Sequence, residues 1–135
     1  MSALRLAALG MLALAGCTAS AEMQASQQAE ADRDLADALK GRVPGKPQDC
    51  ISQNGVTQGP QIIDGNTILY RESGKVIWRN ELRANCPSLR PYNTLIVEMH
   101  GSQLCRNDHF RVLEPGSSIP SGVCLLGSFT PYRKP

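Results

Sequence analysis

The sequence predicts an all-β fold, a small antiparallel sheet or partly open barrel of about six strands, and three observations carry that expectation. Short runs rich in Ile, Val, Leu and Thr recur about every ten residues from position 62 onward. Turn-forming residues stand between them: Asp64-Gly65-Asn66, Ser73-Gly74, His100-Gly101-Ser102 and Pro115-Gly116. Four cysteines, Cys50, Cys86, Cys105 and Cys124, are spread through the same stretch, an even number suited to two disulfides.

The N-terminal element comes first. Residues 1–5 carry one positive charge, and residues 6–15 (LAALGMLALA) form an unbroken apolar run, the layout of an export signal. At about 1.5 Å per residue, ten residues cover roughly 15 Å of a hydrocarbon core of about 30 Å. The run therefore predicts a signal peptide over residues 1–16 rather than a membrane span. Leu14-Ala15-Gly16-Cys17 resembles the lipobox of bacterial lipoproteins. That resemblance implies cleavage before Cys17 and acylation of its thiol and amine; the alternative is an ordinary signal cut near Ala19-Ser20-Ala21. Each buried methylene contributes about 0.8 kcal/mol, so two or more acyl chains hold a protein durably at a membrane. Thr18 and Ala19 follow the cysteine, without the aspartate that marks inner-membrane retention in such lipoproteins. The expected location is the cell envelope, on the outer membrane facing the periplasm, with the membrane bound through Cys17.

Residues 17–42 read as a tether. Residues 22–39 hold five acids against one base, with no aromatic and few large apolar residues, too polar to build a core. Within them residues 29–40 suit a short helix, with Leu35 and Leu39 one turn apart and Gly41 as the stop. A flexible tether of about 25 residues would instead reach roughly 25 to 30 Å.

Residues 43–135 form the expected β-domain. Apolar clusters fall at residues 62–63, 67–70, 76–82, 95–99, 109–113 and 123–129. The first three make a meander, turned at Asp64-Gly65-Asn66, whose residues tolerate positive φ, and again at residues 72–75. Strand alternation puts Val76, Trp78 and Asn80 on one face and Ile77, Arg79 and Glu81 on the other, so Val76 and Trp78 face the core. Trp78, the single tryptophan, serves as a core plug or as a stacking surface for a ligand.

The four cysteines are separated by 36, 19 and 19 positions, without the close pairs that zinc sites use, so no metal is expected. An exported chain favours disulfides. Three pairings exist, and the expected one is Cys50 with Cys124, clamping the first and last strands, and Cys86 with Cys105, bracketing the strand near residues 95–99.

Residues 40–135 carry twelve bases and seven acids, a mildly basic surface. No run of Lys and Arg interleaved with aromatics occurs, which argues against nucleic-acid binding and leaves an envelope protein or an anionic envelope component as partner. Nucleophile-elbow, Walker, metalloprotease, EF-hand and dinucleotide motifs are all missing. No catalytic residue and no cofactor are assigned. One polar constellation remains: His100, Asp108 and His109, which suits acid–base or metal chemistry if the turns carrying it meet. The other reading has Asn107 and Asp108 satisfying backbone N–H groups in a turn, with both histidines exposed. Arg71, Arg79, Arg83 and Arg90 form either an anion patch or a solvated face.

Several segments together resemble an uncharacterised family of small exported four-cysteine bacterial proteins, the domain-of-unknown-function family numbered 6491. They are Cys50-Ile51, Ile63-Asp64, Thr67-Ile68-Leu69-Tyr70, Asn80-Glu81-Leu82, Cys86-Pro87-Ser88-Leu89, Leu104-Cys105-Arg106-Asn107-Asp108 and Cys124-Leu125-Leu126-Gly127-Ser128-Phe129. This likeness spans residues 50–132 and implies a common disulfide-bearing domain, with no activity, substrate or cofactor attached. Residues 70–78 (YRESGKVIW) are also similar to a Ser-Gly signature of lipoprotein inhibitors of lysozyme, which implies an inhibitory role for Ser73 and Lys75. The second motif of those inhibitors is missing and the cysteine pattern differs. The sequence thus favours a non-enzymatic envelope lipoprotein, with a lytic-enzyme inhibitor and a small hydrolase or metal-binding protein as alternatives.

Overall fold

A computed structural model describes the backbone of residues 3–135 and the side chains of residues 20–135. The expected signal peptide and the acylation of Cys17 lie outside the described residues. The chain divides into two units, Met1–Asp34 and Leu35–Pro135. Helix α1 (Ala3–Ala38) forms the first unit and runs into the second. Where a short helix over 29–40 was expected, the helix extends through residues 20–28 as well. Those residues are Ala, Gln, Ser, Glu and Met with no Gly or Pro, and Gln28 Nε2 donates to Asp32 Oδ1 one turn on (2.9 Å). It stops where expected: Leu39 N–H still reaches Leu35 O (3.1 Å), and Gly41 then takes φ +70°. Among the described residues no helix is long and apolar enough to cross a membrane.

The second unit is built from ten strands: β1 (Val43–Pro44), β2 (Cys50–Ser52), β3 (Gln61–Ile62), β4 (Thr67–Glu72), β5 (Val76–Glu81), β6 (Thr94–Val97), β7 (Gln103–Cys105), β8 (His109–Leu113), β9 (Cys124–Leu125) and β10 (Ser128–Arg133). They form three antiparallel sheets, ordered β1-β10-β5-β4-β3, β2-β7 and β6-β8-β9. The fold is all-β as expected, and the sheets do not close into a barrel.

The β3-β4-β5 meander has the predicted order. Ser73 (φ 46°) and Gly74 (φ 70°) take positive φ in the three-residue β4–β5 loop, where Lys75 N–H donates to Glu72 O (3.2 Å) and Glu72 stands opposite Val76. The Asp64–Asn66 turn works differently from expectation. No positive φ occurs there; Asn66 N–H donates to Asp64 Oδ1 (2.8 Å), and Gly65 is needed because a Cβ would press on Asn85 and on the Cys86 carbonyl. Cys86 N–H donates to Gly65 O (2.8 Å) at that approach.

The core lies where inward faces of all three sheets meet. Ile68, Tyr70, Trp78 and Phe129 come from the large sheet, Phe110 and Val112 from β8, and Ile51 and Leu104 from the β2-β7 pair. Trp78 is 6% exposed, its Nε1–H donates to the Glu72 carboxylate, and the Arg133 guanidinium lies 5.7 Å from its ring centroid. It is a core plug with its polar edge satisfied. Ile77 is buried as well, so β5 is covered on both faces.

The cysteines pair differently from the expected scheme. Cys50 bonds Cys105 and Cys86 bonds Cys124, so Cys50–Cys124 and Cys86–Cys105 are corrected. The reason lies in strand order. Cys50 on β2 stands directly opposite Cys105 on β7, with Cα atoms 4.0 Å apart. Clamping the first and last strands, the role expected of Cys50–Cys124, falls instead to the β1–β10 ladder, Val43 opposite Arg133 and Pro44 opposite Tyr132. Cys86 lies in the loop after β5 and ties that loop to β9 (Cα–Cα 6.0 Å), linking the large sheet's connection to the three-stranded sheet.

Candidate binding cleft

Between β2 and β3 the chain makes a 3₁₀ turn (Gln53–Gly55) and an extended stretch through Pro60. Backbone bonds pin this segment at both ends. Gln53 N–H donates to Ser102 O (3.0 Å) beside β7, and Thr57 N–H donates to Arg71 O (2.9 Å) on β4. An isolated bridge pairs Val56 with Glu72. A Cβ at Gly55 would crowd the Glu72 side chain, which would have to shift by a few tenths of an ångström.

This segment forms one wall of a cleft of about 680 Å³. The other walls are Tyr70 of β4, Leu95 and Val97 of β6, Met99, and Leu104 of β7, so each of the three sheets contributes. Gln53, Asn54, Thr57 and Gln58 line it with amide and hydroxyl groups, and no lining residue is charged.

Tyr70 is the residue of chemical interest. Alternation along β4 sends Ile68 and Tyr70 inward together, and the Tyr70 ring is held 5.9 Å from that of Phe129 at a 56° tilt. It is 2% exposed, and its hydroxyl has no hydrogen-bond partner among the described residues. Burial pushes its pKa well above the ordinary value, because the phenolate has lost its solvation. The group is therefore a neutral donor throughout the physiological range.

The residues singled out from the sequence sit elsewhere. Asp108 is half-buried and accepts the Cys105 N–H at 2.7 Å; Asn107, at φ 71°, and Asp108 form a turn closed by Asp108 N–H to Cys105 O (3.1 Å). His100 and His109 are exposed, and among the described residues no group of three His, Cys, Asp or Glu side chains converges. Arg71 donates to Gln61 Oε1 (3.0 Å), Arg79 pairs with Glu81 (3.6 Å), and Arg83 and Arg90 are exposed. Ser73 and Lys75 stand at the exposed tip of the β4–β5 hairpin.

The cleft escaped the sequence reading because its walls are joined by pairings between distant residues. One signal was present: an inward-facing tyrosine whose hydroxyl needs a partner. No family model, curated protein or solved structure matches this chain.

Proposed function

We propose that this chain is a non-catalytic envelope lipoprotein, anchored in the outer membrane through acylated Cys17 and facing the periplasm, whose β-unit binds a small envelope component in the cleft. The observation that carries the binding role is the cleft itself: its walls come from three sheets and include Tyr70, whose buried hydroxyl has no partner among the described residues. A site of this size lies within the roughly 300–1,000 Å³ typical of small-molecule pockets. The Asp108 carboxylate accepts the Cys105 N–H, and His100 and His109 are exposed, which fits the turn reading of this segment. The membrane reading draws on the apolar run ending at Cys17.

Organic extracts of the protein purified from its own envelope test this directly. A small molecule should be present with the native chain and lost with Val97→Trp, which fills the cleft. Identical extracts from both would contradict a binding role. A second reading, inhibition of a cell-wall lytic enzyme, is favoured by the exposed Ser73-Gly74-Lys75 tip. It predicts that the protein slows a panel of lysozymes at micromolar concentration and that Lys75→Glu abolishes the effect. Undiminished lysis would remove it.

A further inference from the structure

We propose that the cleft takes an uncharged molecule with a short apolar body and one strong hydrogen-bond acceptor, an ester or amide carbonyl, which the Tyr70 hydroxyl binds. The proposal depends on the cleft being a binding site and adds the chemistry of its occupant. A buried hydroxyl without a partner has already lost its solvent bonds. An arriving acceptor gains a hydrogen bond there without displacing one, which is the situation in which a polar contact strengthens binding. Burial also holds the phenol protonated, so it donates and recognises an acceptor.

The apolar body follows from the wall facing Tyr70. Val56, Leu95, Val97 and Met99 are partly buried hydrophobics packed against the core, and Leu104 is buried. The requirement for neutrality follows from the lining as a whole. Without a charged residue, the cleft offers an ionised ligand nothing in exchange for its hydration. Asparagine, glutamine and threonine at the other wall suit weaker polar contacts near the carbonyl.

Met99 supplies a local readout, because among the described residues it is the one methionine lining the cleft. The full chain in nanodiscs, carrying ¹³C-methyl methionine and assigned with Met99→Leu, is titrated with methyl hexanoate, with heptane and with hexanoate at pH 8. Methyl hexanoate should shift the Met99 resonance at about one tenth of the heptane concentration, the factor expected for one added hydrogen bond. Hexanoate should act most weakly. Tyr70→Phe, which keeps the ring and the fold, should erase the advantage of the ester and leave the heptane titration unchanged. Repeating the titration with the Cys17→Ser chain in lipid-free buffer separates the two sources of such a carbonyl. A resonance already saturated in nanodiscs and free in buffer identifies membrane lipid esters, and equal titrations identify a soluble ester. Equal response to ester and hydrocarbon, or an unaltered preference in Tyr70→Phe, overturns the proposed chemistry while leaving a binding cleft. No shift with any probe overturns the cleft as a binding site.

Discussion

Asn80 is fully buried, and its side-chain amide pairs with one peptide unit: Nδ2 donates to Gly127 O (2.8 Å) and Oδ1 accepts Gly127 N–H (2.9 Å). The pair satisfies both polar groups of Gly127, one of the two residues between β9 and β10. Asn80→Leu would leave a buried donor and acceptor unpaired, and urea denaturation should show a loss of about 2–3 kcal/mol. Gly127→Ala should be worse, because a Cβ there runs into the Glu81 carbonyl oxygen. Tyr70→Phe should behave in the opposite way. Removing a buried hydroxyl that has no partner should leave stability unchanged or raise it by up to about 1 kcal/mol. Its titration gives a further check. The folded-state pKa of Tyr70 lies above the unfolded value of 10, so the associated stability is complete below pH 10 and is lost as pH rises toward the folded value. The urea midpoint of the native chain should therefore fall more steeply above pH 10 than that of Tyr70→Phe. Parallel curves would mean that the phenol is solvated.

At the scale of elements, Cys50–Cys105 staples the two strands of the β2-β7 sheet to each other, and Cys86–Cys124 ties the loop after β5 to the three-stranded sheet. In the chain-entropy picture, closing loops with separations of 55 and 38 residues removes about 4 kcal/mol of unfolded-state entropy each. Replacing either pair with serine should lower the denaturation midpoint clearly, and full reduction should unfold the β-unit; an unchanged midpoint on reduction would contradict a stapled fold. The elements legible in the sequence were those with enough length to show a pattern. β4, β5 and β8 were readable because they run five or six residues between turn signals, and β3, two residues long, was placed by the Asp64–Asn66 turn beside it. The strands β2 and β7, three residues each, carry no period, and without them the Cys50–Cys105 pairing was invisible. The C-terminal half of β10 was hidden by Pro131, which lacks an N–H. The strand tolerates it because N and O of one residue point to the same side; Pro131 O there accepts Gly45 N–H (2.7 Å), just past the two-residue edge strand β1. The cleft was the least legible feature, since Val56, Tyr70, Leu95 and Leu104 are brought together only by that unseen strand order.

For the whole molecule, residues 22–39 are acidic and residues 40–135 mildly basic, the charge division on which the proposed spacer and presented unit rest. The β-unit has two disulfides and a cleft lined by uncharged residues, and the proposed function adds an acyl anchor at Cys17. Anchor and staples are read together by the intact mass of the protein isolated from its own membranes, with and without reduction. The expected mass is that of a chain beginning at acylated Cys17 that gains four hydrogens on reduction. A chain still carrying residues 1–16, a chain without acyl groups, or a mass that does not change on reduction would overturn the corresponding assignment.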